Sequence, residues 1–306
     1  MLKENRILVT GSAGLIGTVL TKKLVTHGKL VIGLDIGLPK EHTNYGNIFD
    51  TKKLKDLINQ CVGIVHLSAI SRVVWGENNP ELCWQTNVQA TKNLLELVHH
   101  SIHKPWVIFA SSREVYGQQA KLPVPETAEL LPLNVYARSK VAGEQLIHEY
   151  QKLGVTASTL RFSNVYGGLT DHPDRVIPAF CRNALLNKPL RVDGNNNLFD
   201  FTHVDDTVNG IICVINKLSM RKASLPDIHL TTGKGTDLVD VIKIIEKTLE
   251  NTVEFYQAPA RNYDVQRFYG DTTLAKNILN WQAVIPVEKG IKQLLQMYQQ
   301  QLQISI

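Results

Sequence analysis

The chain has 306 residues, 43% of them hydrophobic and 20% charged, with a formal net charge of +5. That balance fits a soluble globular protein of one large domain or two smaller ones in contact. No apolar run is long enough to span a membrane, and no basic tract is dense enough to call for a nucleic-acid partner.

The N-terminus, MLKENRILVTG, enters a strand at once and carries no signal-peptide pattern. RILVT (6–10) is a short β-rich run that ends in glycine. A helical pattern follows, with Leu15, Ile16, Val19, Leu20 and Leu24 on one face and Gly28 as its stop. LVIGLD (30–35), GIVHLSA (63–69) and WVIFASS (106–112) read as further strands. A helix fits 86–99 and a longer one fits 136–153, followed by the strand VTASTLRF (155–162). These strands are continuous apolar runs rather than alternating ones, as expected for a parallel sheet buried on both faces. The predicted fold is therefore α/β: a Rossmann-like, doubly wound parallel sheet with a smaller mixed lobe. Residues 1–165 are expected to form the dinucleotide-binding domain and 166–306 mainly a substrate-binding lobe. Segments near 200–232, DIHLTT (227–232) among them, are expected to return to the sheet.

Three motifs carry chemistry. In TGSAGLIG, Gly11 permits a tight turn, Gly14 lets backbone approach a pyrophosphate, and Gly17 lets helix and strand pack closely. Asp35 ends the next strand, where a carboxylate accepts hydrogen bonds from a ribose 2′-hydroxyl and repels a 2′-phosphate. No arginine follows it, so NAD is expected rather than NADP. In YARSK, Tyr136 and Lys140 share one helical face, and a lysine cation beside a phenol favours the phenolate needed for a base. In ASSREVYG, Ser112 stands at the C-terminal end of a strand, where ligands of doubly wound sheets bind. Glu114 beside it is either an acid/base group or a structural hydrogen-bond partner. The cysteines Cys61, Cys83, Cys181 and Cys213 and the dispersed histidines form no metal spacing. Reduced thiols in a cytoplasmic protein are expected.

The order of glycine turn, acidic strand end, serine and YxxxK resembles the extended branch of the short-chain dehydrogenases/reductases, the nucleotide-sugar epimerases, dehydratases and decarboxylases. NIFD (47–50), HLSA (66–69), TNVQATKNLLE (86–96), LRFSNVYG (160–167), DFTHVDD (200–206) and RNYDVQRFYGD (261–271) are similar to segments of that family along nearly the whole chain. The resemblance implies a catalytic set of Ser112, Tyr136 and Lys140, with Glu114 as a candidate addition. It implies a cofactor set of Gly11, Ala13, Gly14, Leu15, Ile16, Gly17, Asp35, Asn47, Ile48, Leu67, Ala69, Asn87, Tyr136 and Lys140. Substrate would be held by Ser111, Ser112, Asn164 and Arg261. The implied reaction is oxidation of a nucleotide-linked sugar at C4 to a transient 4-ketone and its re-reduction, that is, epimerisation. A dehydratase or decarboxylase using Glu114 is the alternative, and a non-catalytic NAD-binding sensor a more remote one. The family's dehydratases of the TDP-glucose type pair an aspartate with this glutamate, whereas this chain has Arg113. Where the family often has a diphosphate-binding arginine, this chain has Phe199, leaving Arg175, Arg191 or Arg267 to compensate. Asp205 and Asp206 are expected to cap the helix that begins after them. Relatives often dimerise through the helices corresponding to 86–100 and 136–152, so a homodimer is expected.

Overall fold

Strands apolar on both faces need cover on both faces, and that requirement organises the molecule. The computed structural model describes residues 6–221 and 223–304. In chain order the elements are β1 (Arg6–Thr10), α1 (Leu15–Thr26), β2 (Leu30–Leu34), α2 (Thr51–Ile58), β3 (Gly63–His66), α3 (Val73–Asn78), α4 (Pro80–Trp84), α5 (Ala90–His100), β4 (Trp106–Ser112), α6 (Val135–Lys152) and β5 (Ala157–Phe162). They continue with β6 (Asn164–Tyr166), α7 (Val176–Leu185), β7 (Leu190–Asp193), β8 (Leu198–Phe199), β9 (Phe201–His203), α8 (Val204–Arg221), β10 (Ile228–Leu230), α9 (Leu238–Leu249), β11 (Phe255–Ala258), β12 (Arg267–Phe268), α10 (Thr273–Leu279) and α11 (Val287–Ile304).

Six strands form one parallel sheet in the order β10-β5-β4-β3-β1-β2. Ile7 and Val9 of β1 point to one face, where Leu20 and Leu24 of α1 and Val208 and Ile211 of α8 cover them. Leu8, between them, points to the other face, under Leu54 of α2 and Leu94 and Leu95 of α5. The alternation is invisible in the residue types because both faces are equally dry. The chain runs from β1 to β2 on one side and to β3 on the other. A crevice opens at that reversal, at the carboxyl ends of the strands. Strand β10 pairs with β5, and helix α8 packs on α1, so these later segments lie against the sheet.

The remaining elements build a second layer on that crevice. Helices α7, α9 and α11 enclose Ile177, Phe180, Val241, Ile245, Leu294 and Leu295. Short parallel pairs, β7 with β11, β8 with β12 and β6 with β9, tie this lobe together.

Two boundaries differ from the sequence expectation. The strand expected over 63–69 ends at His66, and Leu67–Ile70 leaves the sheet to pass under Gly11. The helix expected from residue 86 is preceded by α4, started by the Asn79 side chain accepting from Leu82 N with Pro80 in the first turn. A π-helical turn, Gln85–Gln89, joins it to α5. Asp205 and Asp206 also differ. They lie inside the first turn of α8, and Asp206 Oδ2 accepts from Val284 N and Ile285 N, holding the loop before α11.

Candidate active site

The glycine turn is built as its spacing predicts. Gly11 has φ +73°, and a Cβ there would come within 2.8 Å of Ser68 N. A Cβ on Gly17 would come within 2.1 Å of Gly11 O, so only glycine lets α1 start this close to β1. Gly14 is different: it is exposed, and its Cβ would meet only Gly11 O at 3.5 Å. As the N-cap of α1 it offers no side chain, and no acidic residue follows in the first turn. The first-turn N–H groups, those of Leu15 and Ile16 among them, therefore keep no capping acceptor. By contrast Asp50 caps α2 and Asn134 caps α6. An open, positively polarised helix start facing a crevice fits a dinucleotide's pyrophosphate. Asp35 frames the far side, accepting from Ala13 N at 2.9 Å and Gly37 N at 2.7 Å, which orients the carboxylate beside the turn. Ile48 is buried in the core beside Leu34, and Asn47 closes its own turn by accepting from Phe49 N.

Next to this crevice, α6 and β4 bring three side chains together. Tyr136 and Lys140 are 8% and 4% exposed, and Ser112 is 8% exposed. The Lys140 ammonium donates to Ala110 O at 2.8 Å, and it lies 5.8 Å from the centre of the Tyr136 ring. Burial brings the Lys140 ammonium down to about 8. Burial also pushes the Tyr136 phenol up to about 12, against a hydrogen bond with Ser112 and the charge of Arg175, which pull it down. Spacing suggested that Lys140 would be the group favouring phenolate. In this arrangement Ser112 and Arg175 are the first groups that pull the phenol down, and the Lys140 cation lies beside the ring.

Ser112 and Tyr136 line one wall of a cavity of about 440 Å³, and Lys140 lies buried beside the Tyr136 ring. Arg113, Glu114, Asn164, Arg175, Arg191 and Arg261 also border it, and so does Phe199. The Asn164 Nδ2 is buried without a partner. Arg261 is held by Asp264 at 2.6 Å and lies over the Tyr263 ring. The cavity thus brings a buried phenol and several guanidinium groups to one space, a chemistry suited to an anionic, hydroxylated molecule.

The model of the NAD dependent epimerase/dehydratase family matches residues 7–225. The chain belongs to that family. A putative UDP-glucose 4-epimerase of Methanocaldococcus jannaschii is 32% identical over 306 residues, 94% of this chain and 97% of that protein. A UDP-glucuronate 4-epimerase of Thermodesulfobacterium geofontis is 29% identical over 309 residues, 93% of each. The solved structure of MoeE5 in complex with UDP-glucuronic acid and NAD superimposes with a TM-score of 0.89 at 26% identity, covering 97% of this chain and all of that one. The cofactor of this family member is NAD, and the uncapped α1 start and Asp35 are the features of this chain that fit it.

Within this member of the family, Ser111 and Asn87 are both bonded to protein groups. Ser111 does not border the cavity. Alternation along β4 sends it to the opposite face from Ser112, where it donates to Glu144 Oε1 at 2.5 Å. Glu144 in turn holds Arg161 through two bonds, of 2.9 and 2.6 Å. Asn87 is 1% exposed and fully committed to protein: Oδ1 accepts from Ile70 N at 2.8 Å, and Nδ2 donates to Ile70 O and Ser139 Oγ. It fixes the Leu67–Ile70 loop, Ala69 included, against α6. Glu114 does border the cavity, but both its oxygens are occupied. Arg113 Nη2 lies 2.9 Å from Oε1, and Asn134 Nδ2 donates to Oε2 at 3.1 Å. Asn134 uses its own oxygen to cap α6 at Ala137 N, so Glu114 steadies the helix start that carries Tyr136. Of the arginines expected to compensate for Phe199, Arg175 and Arg191 border the cavity, whereas Arg267 is exposed and held by Asn196. Arg72, which sequence reasoning missed, enters from the loop after β3 and pairs with Asp174 at 2.7 Å. Only the fold brings those two segments together, so no local pattern announced it.

Proposed function

We propose that the protein is an NAD-dependent epimerase that inverts C4 of a nucleotide-linked sugar through a transient 4-ketone. The observation that carries this reading is that Ser112 and Tyr136, with Lys140 buried beside the Tyr136 ring, open onto a guanidinium-lined cavity in which Glu114 is held by Arg113 and Asn134. When bound, NAD supplies a reversible hydride acceptor. The protein's own work is protonic and positional. Tyr136 takes the proton of the C4 hydroxyl and returns it on re-reduction. Ser112 hydrogen-bonds the Tyr136 phenol and so favours its charged form. Lys140 is anchored at Ala110 O with its cation beside the Tyr136 ring. Asn164, with its free buried amide, and Arg261 hold the nucleotide's phosphates. Burial removes water that would otherwise compete for the reacting hydroxyl.

On this reading residues 1–165, with the 200–232 return, serve the cofactor, and 166–306 mainly serve the sugar nucleotide. We also propose a homodimer, formed through α5 and α6, and a cytoplasmic location. Among the described residues no helix is long and apolar enough to cross a membrane.

The test is incubation with NAD and UDP-, GDP-, TDP- and CDP-sugars, uronic acids included, with products separated by chromatography and weighed. A new sugar nucleotide of unchanged mass is expected. Loss of water or carbon dioxide from the product would overturn the reading in favour of the elimination or decarboxylation alternative. Tyr136→Phe is expected to abolish turnover while leaving NAD binding by calorimetry within about twofold of the unsubstituted protein. Unchanged activity in that variant would remove Tyr136 from the mechanism.

A further inference from the structure

Two residues that depart from the family pattern, Arg113 and Phe199, meet in the folded protein. The Arg113 guanidinium lies over the Phe199 ring, 5.0 Å from its centre, and 5.9 Å from the centre of Phe268. Its Nη1 donates to Val265 O at 3.2 Å, and its Nη2 pairs with Glu114 Oε1 at 2.9 Å. The two side chains of that pair are each 9% exposed, so the attraction is little screened by water. The group is thus fixed by an aromatic face, a carbonyl and a carboxylate, a geometry available to arginine and not to lysine.

Glu114 is the carboxylate nearest to trouble in this reaction. It borders the same cavity as Tyr136, and its charge is felt at the Tyr136 phenol. Burial raises the Glu114 carboxyl, and Arg113 is the first group that lowers it again. A 4-ketone acidifies the neighbouring C5–H bond. A carboxylate within reach can take that proton. The C5–H bond then breaks, its electron pair moves into the C4–C5 enolate, and the carboxylate becomes a carboxylic acid. Return of the proton to C5 restores the ketone, on either face. Departure of a C6 hydroxyl, protonated as water, gives an unsaturated ketone instead. None of these branches serves inversion at C4.

We propose that Arg113 is a specificity-determining residue that holds Glu114 out of the reaction, so that the 4-ketone is re-reduced and not deprotonated at C5. Arg113 and Asn134 occupy the two Glu114 oxygens, and Phe199 holds the guanidinium where it can do so. The pair at 113 and 199 works as one device. The arginine is the lock, and the aromatic ring is the seat that keeps it from swinging into the cavity. This inference rests on the C4-epimerase reading.

The test is turnover in D₂O with the sugar nucleotide on which the unsubstituted, NAD-loaded protein acts, read by proton NMR and mass of the recovered sugar. The unsubstituted protein is expected to invert C4 with no solvent deuterium at C5. Arg113→Leu keeps an apolar body on Phe199 and Phe268 and removes the lock. It is expected to place deuterium at C5 at least about tenfold above the unsubstituted level, and to release dehydrated product where C6 bears a hydroxyl. Arg113→Leu with Glu114→Gln is expected to lose that label again, which a merely structural role for Arg113 would not predict. Where circular dichroism shows that Arg113→Leu has not folded, Arg113→Gln is read in the same way. C4 inversion without C5 label in the folded single variant overturns the proposal, as does C5 label in the unsubstituted protein. Absence of any C4 inversion by the unsubstituted protein instead overturns the epimerase reading, and this proposal falls with it.

Discussion

Asp171 sits where two cavities meet, the site cavity and a second of about 320 Å³ bordered by Arg182 and Tyr298. Its side chain is 1% exposed, and its Oδ2 has no partner. Burial outweighs the nearby Arg175 and pushes the Asp171 carboxyl from 3.8 up to about 6. A carboxyl raised in the fold favours the folded state fully below its unfolded value, and that contribution is lost as pH rises through about 6. Above that, ionised Asp171 opposes folding by on the order of 3 kcal/mol. Asp171→Asn is therefore expected to melt several degrees above the unsubstituted protein at pH 8 and to lose that advantage near pH 4, as read by calorimetric scans across pH. An equal gap at both pH values would count against it. At this scale the sequence was an uneven guide. Ser112, Tyr136 and Asn164, each singled out by a motif, border one cavity, and Lys140 is buried beside the Tyr136 ring. One strand position turns Ser111 to the opposite face from Ser112, and the buried Asn87 amide is bonded to Ile70 and Ser139, partners that no local pattern announces. Asp171 had no signal at all: its character comes from burial by residues distant in sequence.

The α1 start shows what a helix terminus does with its glycines. Gly17 is needed for packing, since its Cβ would overlap Gly11 O. Gly14 is not, since it is exposed and has room. The two therefore separate fold from cofactor. Gly17→Ala is expected to destabilise the protein by about 1–3 kcal/mol in urea titration. Gly14→Ala is expected to leave the unfolding midpoint nearly unchanged while weakening NAD at least about tenfold in calorimetry, because the methyl enters the space a phosphate needs. Equal loss of stability in both variants would remove the distinction. Elements with a strong period and a glycine, serine or asparagine boundary were legible. The α4 segment was not, because Asn-Pro reads as a loop until the asparagine side chain is seen to cap the α4 backbone. The third strand ended early for a similar reason: Leu67–Ile70 is as apolar as a strand but is pulled out by Asn87.

At the scale of the whole molecule, the doubly wound sheet was legible because its strands are dry on both faces, which leaves little else for such runs to be. The lobe was not, since its two-stranded sheets are too short to show a period. The same helices that cover the sheet leave apolar surface elsewhere. Leu82 and Trp84, at the start of the α4–α5 run, are 40% and 47% exposed, and α5 packs directly against α6. Multi-angle light scattering is expected to return twice the mass of the 34.3 kDa chain, and Trp84→Glu is expected to shift it toward one chain. A monomer mass for the unsubstituted protein would exclude the dimer.

The loop after β3 is fastened in three directions. Ile70 is bound to Asn87 on both its polar atoms. Glu77 accepts from Val135 N at 2.7 Å, at the first residue of α6. Arg72 and Trp75 reach across to Asp174 and to the ring of His172, 4.6 Å away, on the opposite wall. Held at three points, the segment links α6 to the Asp174 side of the cavity. The same segment therefore touches the start of the helix that carries Tyr136 and the wall that faces it across the cavity. One short stretch of chain thus sets the spacing between the two walls of the cavity.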